Sequence, residues 1–208
     1  MTNSEQQFIA TINKEIEQGY KTLENIGKCV TVFGSSAIPD DSIYCEQAEL
    51  TGKMLAEAGF AVITGGGPSI MEAVNRGAKN AGGHSIGLTM QFPDKCIENK
   101  NIDTMLRFSN MSVRKHMFFK YSSAFVALPG GFGTLDEAFE CLALMQTGKI
   151  SRRPFIFQDK NFWLPAITWI RQVLKNDYKV IGDYDLDLFS LTDEPQLTIE
   201  TIINNSSN

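Results

Sequence analysis

Cysteine and histidine are scarce in this chain, and their scarcity removes several kinds of chemistry at once. Across 208 residues the four cysteines, Cys29, Cys45, Cys96 and Cys141, stand far apart and form no C-x-x-C pair. Four widely spaced thiols cannot staple a fold of this size, so reduced cysteines and a cytoplasmic location are expected. The two histidines, His84 and His116, show no metal-ligand spacing with those cysteines, and no metal site is expected. Basic residues are also in deficit, with 19 Lys and Arg against 24 Asp and Glu for a net charge of -5. A nucleic-acid partner needs a dense array of cations facing phosphates, so none is expected. No long uncharged apolar run occurs, and the polar start Met1 to Gln7 lacks the basic and apolar parts of a secretory signal. No membrane partner is expected.

The common nucleotide signatures are missing as well. No Gly-Lys-Ser/Thr closes a phosphate loop, and after Gly131-Phe132-Gly133 the third glycine of a dinucleotide fingerprint is replaced by Asp136. A nucleoside triphosphate or a dinucleotide is therefore disfavoured. There is no G-x-S-x-G nucleophile elbow.

What the chain does have is alternation. Phe8, Ile12, Ile16, Leu23 and Ile26 recur at helical spacing between charged residues, which predicts an amphipathic leading helix over residues 1–27. It either covers the chain's own core or meets another subunit. From residue 28 to 208 short apolar strands alternate with helices. Strands are expected at Cys29–Phe33, Ala61–Ile63, His84–Leu88, Ala124–Leu128, Phe155–Phe157 and Leu188–Leu191. Helices are expected at Ser42–Ala58, Ser69–Ala81, Met111–Tyr121, Thr134–Gln146, Asn161–Leu174 and from Pro195 onward. This order predicts an α/β fold: one Rossmann-like, doubly wound parallel sheet with helices on both faces.

In such sheets ligands sit beyond the carboxyl ends of the strands. The segments leaving those ends include Gly34-Ser35, Gly65-Gly66-Gly67-Pro68 and Pro129-Gly130-Gly131-Phe132-Gly133-Thr134. Glycine lets backbone approach a ligand closely, and the free amides of the following helix start favour an anion. Tight strand-to-helix turns also need glycine for purely steric reasons, and both explanations stand for each loop. Glu72 and Glu137 carry the same ambiguity. Ser69-Ile70-Met71-Glu72 and Thr134-Leu135-Asp136-Glu137 match the capping box that closes a helix start, yet each puts a carboxylate beside a candidate phosphate loop.

Arg114-Lys115-His116 and Lys120 bring positive charge to a helix just before the fourth expected strand, although most helix cations are simply solvated. The cluster Met105, Phe108, Met111, Met117, Phe118, Phe119 and Tyr121 is assigned to core or subunit interface ahead of a base pocket.

Three segments taken in order, Gly65 to Ala73, Ser112-Val113-Arg114-Lys115, and Pro129-Gly130-Gly131-Phe132-Gly133-Thr134-Leu135-Asp136-Glu137, resemble the LOG (LONELY GUY) family of phosphoribohydrolases. The resemblance runs from about Val30 to Gly148. Members often carry the label lysine decarboxylase, but no lysine motif for pyridoxal phosphate is present and no cofactor is expected. The resemblance implies hydrolysis of a purine or cytokinin nucleoside 5'-monophosphate to free base and ribose 5-phosphate, in a homodimer or a higher homo-oligomer with interfacial sites. It makes Arg114 and Glu137 the catalytic pair. It places phosphate on Gly130, Gly131, Gly133 and Thr134, with Pro129, Gly65, Gly66 and Gly67 beside the substrate. It gives Glu72 to the ribose, Lys115 to the anion, and Gly34 with Ser35 to the nucleoside. The stretch Met90 to Asn99 departs from the family pattern, which leaves the choice of base open. The alternative is a non-catalytic binder or carrier of a phosphorylated ligand such as a nucleotide or molybdenum cofactor, by analogy of fold.

Overall fold

The computed structural model describes residues 1–91 and 99–205. Most of the divergent stretch Met90 to Asn99 therefore lies outside the described residues. Among the described residues seven parallel strands form one sheet: β1 Cys29–Phe33, β2 Ala61–Thr64, β3 Ser85–Met90, β4 Thr104–Phe108, β5 Ser122–Ala127, β6 Phe155–Gln158 and β7 Ser190–Thr192. The helices are α1 Asn3–Leu23, α2 Ile43–Glu57, α3 Ile70–Asn80, α4 Met111–Tyr121, α5 Phe132–Gln146, α6 Lys160–Trp169, the short α7 Asp183–Leu186 and α8 Pro195–Asn205. A π-helical segment, Ile170–Asp177, extends α6.

The strands sort their side chains by the period-two alternation of a pleated sheet. In β1, Val30 and Val32 face one core while Cys29 and Phe33 face the other. In β5, Ala124 and Val126 join the first of these, and Phe125 and Ala127 the second. Helices α2, α3 and α8 cover the first face, through residues such as Leu55, Val74 and Ile202; α1, α4, α5 and α6 cover the second, through Leu23, Met117, Cys141 and Trp163. The second face holds a run of rings, with Phe33 stacked on Phe125 and Phe125 on Phe155. Trp163 closes the run and donates its indole N–H to the Ala127 carbonyl at 2.9 Å. Burying both faces is what requires the continuous apolar runs that make these strands legible.

Strand β4 is an addition to the expected set. Thr-Met-Leu-Arg-Phe offers no apolar run because it is the outer strand of the sheet, with Leu106 and Phe108 buried and Arg107 exposed. Met105 and Phe108 thus belong to this strand. The last strand begins at Ser190 rather than Leu188.

The strand order is β4-β3-β2-β1-β5-β6-β7. The chain runs outward from β1 through β2 and β3 to β4, then returns to β5 on the other side of β1 and runs outward again. The order therefore reverses between β1 and β5, and a crevice opens where their connections diverge. Among the described residues no helix is long and apolar enough to cross a membrane.

Candidate functional site

The ladder between β1 and β5 continues into the loops that follow them. Leu128 N–H donates to the Phe33 carbonyl at 2.9 Å, and Ser35 N–H to the Pro129 carbonyl at 3.0 Å. Two glycine-bearing loops are thereby held side by side at the reversal point. Helix α5 starts directly after the second, with Gly131 as its N-cap and no side chain capping its first turn. Its leading amides and the positive end of its dipole are available to an anion. A methyl group on Gly130 would collide with the Thr134 side chain, whereas one on Gly131 or Gly133 would meet nothing within 4 Å. Gly130 is thus required by the turn itself, and the other two glycines keep space open.

Neither candidate capping box forms. Ser69, the N-cap of α3, has φ 63° and makes no side-chain cap; its hydroxyl donates to the Ile38 carbonyl at 2.6 Å. Thr134 lies inside α5 because the helix starts at Phe132, so it cannot cap that helix. The glutamates are released to other partners. Glu72 Oε1 accepts from Asn101 Nδ2 at 3.4 Å, and Glu137 pairs with Arg114.

Arg114 sits in the first turns of α4, whose start is held from two directions. The Asn110 side chain accepts from the backbone N–H groups of Ser112 and Val113 at 2.9 and 3.1 Å. From α1, the Glu15 carboxylate accepts from the Ser109 N–H at 2.6 Å and hydroxyl at 2.5 Å, and from the Asn110 N–H at 3.4 Å. The guanidinium reaches across to α5, where Nη2 donates to Glu137 Oε1 at 2.9 Å, with both side chains about nine-tenths buried. Its other side lies over Phe118, 5.6 Å from the ring centre. Its Nε is buried without a hydrogen-bond partner. Burial pushes the Glu137 carboxyl up to about 7; Arg114 pulls against the rise, Asp136 adds to it, and Lys115 pulls against it. The site therefore holds a carboxyl group poised to change charge near neutrality.

This pair forms one wall of a cavity of about 790 Å³. The cavity brings together Gly34, Ser35, Gly65, Gly67, Arg114, Gly131, Gly133, Thr134 and Glu137. Gly66, Glu72, Lys115, Pro129 and Gly130 stand behind or beside that lining. Gly66, at φ 67°, turns its N–H back to Thr64 Oγ1 at 2.9 Å. Lys115 is buried against α5, its ammonium on both Asp136 oxygens at 2.9 and 3.0 Å and on Glu140. Burial alone would lower its affinity for the proton, but Glu140 and Asp136 together raise it.

The apolar part of the lining, Ala37, Pro68, Met71, Met90 and Phe132, received no role from the sequence, and Met111 was assigned to core or interface. The available signal lay in position, since Met71 directly precedes Glu72 and Phe132 separates two loop glycines. Met117, Phe118 and Phe119 are core residues. A smaller cavity of about 220 Å³ lies at the opposite, amino end of β6 and β7, beside Arg153 and Asp187. Among the described residues no group of three or more His, Cys, Asp or Glu side chains is placed to hold a metal ion.

Known proteins resemble this chain to different extents. The chain is 28% identical over 152 residues to the cytokinin riboside 5'-monophosphate phosphoribohydrolase LOG of Oryza sativa subsp. japonica, covering 72% of this chain and 62% of that protein. It is 30% identical over 158 residues to the cytokinin riboside 5'-monophosphate phosphoribohydrolase LOG1 of Arabidopsis thaliana, covering 75% of this chain and 74% of that one. The match thus spans less than two thirds of the length of the rice relative. Among solved structures, the molybdenum cofactor binding protein of Rippkaea orientalis superposes with a TM-score of 0.65 at 21% identity, over 85% of this chain and 96% of that one. At that identity the likeness is one of fold. The family profile described as "Possible lysine decarboxylase" matches residues 71–202, more than half of the chain, and the chain belongs to this family, the LOG family.

Proposed function

We propose that the chain hydrolyses the N-glycosidic bond of a purine or cytokinin nucleoside 5'-monophosphate, releasing the free base and ribose 5-phosphate. The observation that carries this reading is the buried Arg114–Glu137 pair on the wall of a cavity whose other walls are two glycine-bearing strand-to-helix turns. In this reading the 5'-phosphate lies against the uncapped start of α5, between Gly131, Gly133 and Thr134. The ribose then lies towards Glu137, and the base extends over Met71, Met90 and Met111. Gly65 and Gly67 line the substrate side of the second turn, and Gly66, Glu72 and Lys115 support the site from behind.

Breaking the bond between C1' and the base nitrogen builds positive charge on the ribose. An ionised Glu137 beside that carbon stabilises the charge, in a site dry enough for the interaction to count. Water supplies the oxygen that bonds to C1', and its proton leaves with the departing base. A guanidinium donates hydrogen bonds rather than a proton, so Arg114 orients Glu137 and anchors an anionic group of the substrate.

A second copy of the chain is part of this proposal, as a homodimer or a higher homo-oligomer. Phe132 is 91% exposed at the cavity rim and Met111 is 48% exposed, apolar surface that a neighbour would cover. Free thiols at Cys29, Cys45 and Cys141 support a cytoplasmic location. The test is direct: purified protein is incubated with AMP and with isopentenyladenine monophosphate, and free base is followed by chromatography. Release of base supports the reading. Tight binding of the nucleotides without release would replace it with a carrier of a phosphorylated ligand.

A further inference from the structure

Two consecutive cations on α4 face three carboxylates on α5. Neighbouring helix residues point about 100° apart, so Arg114 and Lys115 engage different parts of the α5 surface. Arg114 meets Glu137. Lys115 meets Asp136 and Glu140, which are four residues apart and share one face. An ammonium has three donors. Those of Lys115 are engaged by Asp136 Oδ1 at 3.0 Å, Asp136 Oδ2 at 2.9 Å and Glu140 Oε2. Its side chain is only 10% exposed, and it is not part of the cavity lining. A phosphate in the cradle would have to draw it away from two carboxylates and through the wall formed by its neighbours.

We propose that Lys115 is a positioning residue, which fixes α5 against α4 and neutralises the carboxylates flanking Glu137, rather than a ligand of the substrate phosphate. The inference rests on the nucleotide-cleaving reading above only for the name of the reaction. The charged groups facing Glu137 are Arg114 and Lys115 from α4 and Asp136 from its own helix, with Glu140 held through Lys115. Without Lys115 the negative charge of Asp136, next to Glu137 in sequence, is uncompensated and opposes ionisation of the glutamate. The lysine thus sets the pH range in which the glutamate is charged while touching no substrate.

The experiment compares wild type, Lys115→Met, Lys115→Arg and the double variant Lys115→Met with Asp136→Asn. AMP cleavage is followed across pH, and AMP binding is measured by calorimetry. A positioning role predicts that Lys115→Met shifts the acidic limb of the rate profile to higher pH and lowers kcat about tenfold at neutral pH, with AMP affinity changed less than about threefold. Lys115→Arg retains most of the activity, and the double variant moves the limb back towards wild type. A loss of AMP affinity of about tenfold or more in Lys115→Met, with the limb unmoved, overturns the proposal in favour of phosphate binding.

If Lys115→Met does not fold, Asp136→Asn alone must move the limb to lower pH, and an unmoved limb also overturns the proposal. Should the wild type cleave no nucleotide, the enzyme reading falls. The positioning role is then read by carbon-13 NMR titration of the Glu137 carboxyl in the same variants, where equal titration midpoints would overturn it.

Discussion

Arg114 Nη2 lies 2.9 Å from Glu137 Oε1 across the seam between α4 and α5. That contact converts a helix-start signature into a charged pair at the wall of a cavity. The glutamate is free to make it because α5 starts at Phe132, three residues earlier than a capping role for Glu137 would require. The same residue that a local pattern assigns to closing a helix start is therefore available for chemistry.

Glu137→Gln tests that availability. Glutamine keeps the shape and can still accept from Arg114, but it cannot balance positive charge on the ribose. Turnover should fall about 100-fold or more, with the circular dichroism spectrum unchanged and the melting temperature not lowered at neutral pH. Wild-type turnover in this variant would leave Glu137 a structural residue.

The pH dependence has a defined sign for both rate and stability. The folded protein holds the Glu137 carboxyl at about 7 against an ordinary value of 4.5. The rate, which needs the charged form, should rise as pH increases through about 7 and then level off. Stability runs the other way. Between 4.5 and about 7 the folded state binds the proton that the unfolded state has lost, so stability present below 4.5 is lost as pH rises, by about 3 kcal/mol at most. Urea denaturation of wild type and Glu137→Gln at pH 4.5 and 8 would measure this. A stability difference between the two proteins that does not change with pH contradicts the assignment.

The loop glycines separate turn geometry from ligand space. Gly130→Ala drives a methyl group into Thr134 and should destabilise the fold by about 1 to 3 kcal/mol. Gly133→Ala meets nothing in the protein and sits in the first turn of α5, where alanine is the better helix former by up to about 1 kcal/mol. Its melting temperature should hold or rise while KM for AMP increases about tenfold or more, because the methyl group occupies the space left for phosphate. Equal KM values for Gly133→Ala and wild type would move the phosphate elsewhere.

Glu15 gives α1 a role beyond covering the core. Glu15→Ala removes the acceptor for Ser109 and Asn110 and should cost about 1 to 2 kcal/mol. Hydrogen exchange should quicken at residues 109–114 while the sheet amides stay protected. Uniform exchange rates across the two proteins would show that Asn110 alone holds the start of α4.

Legibility in the sequence followed the physics of each element. Strands β1, β2 and β5 are buried on both faces, so their apolar runs announced them, and the glycines leaving β1, β2 and β5 marked the rim of the cavity. Strand β4 escaped because an outer strand alternates without a run, as Arg107 does between Leu106 and Phe108. The Ser69 and Thr134 boxes stayed ambiguous because a four-residue pattern does not encode the backbone entering the helix. At Ser69 that backbone has φ 63° and turns the hydroxyl to Ile38. The methionine wall was hidden for a related reason: Met71, Met90 and Met111 come from α3, β3 and α4, and only the assembled sheet brings them to one cavity.

The central position of β1 has a consequence for how the chain can be divided. The family match begins at residue 71, but β1 and β2 precede that point and lie in the middle of the sheet. A fragment limited to residues 71–202 would keep β3 and β5 with no strand between them, each exposing an unpaired edge flanked by apolar surface. Edges of that kind recruit copies of themselves, so such a fragment should aggregate rather than fold. The boundary of the family match falls inside one sheet, so a limit drawn by sequence comparison is not expected to be a limit at which the chain folds alone.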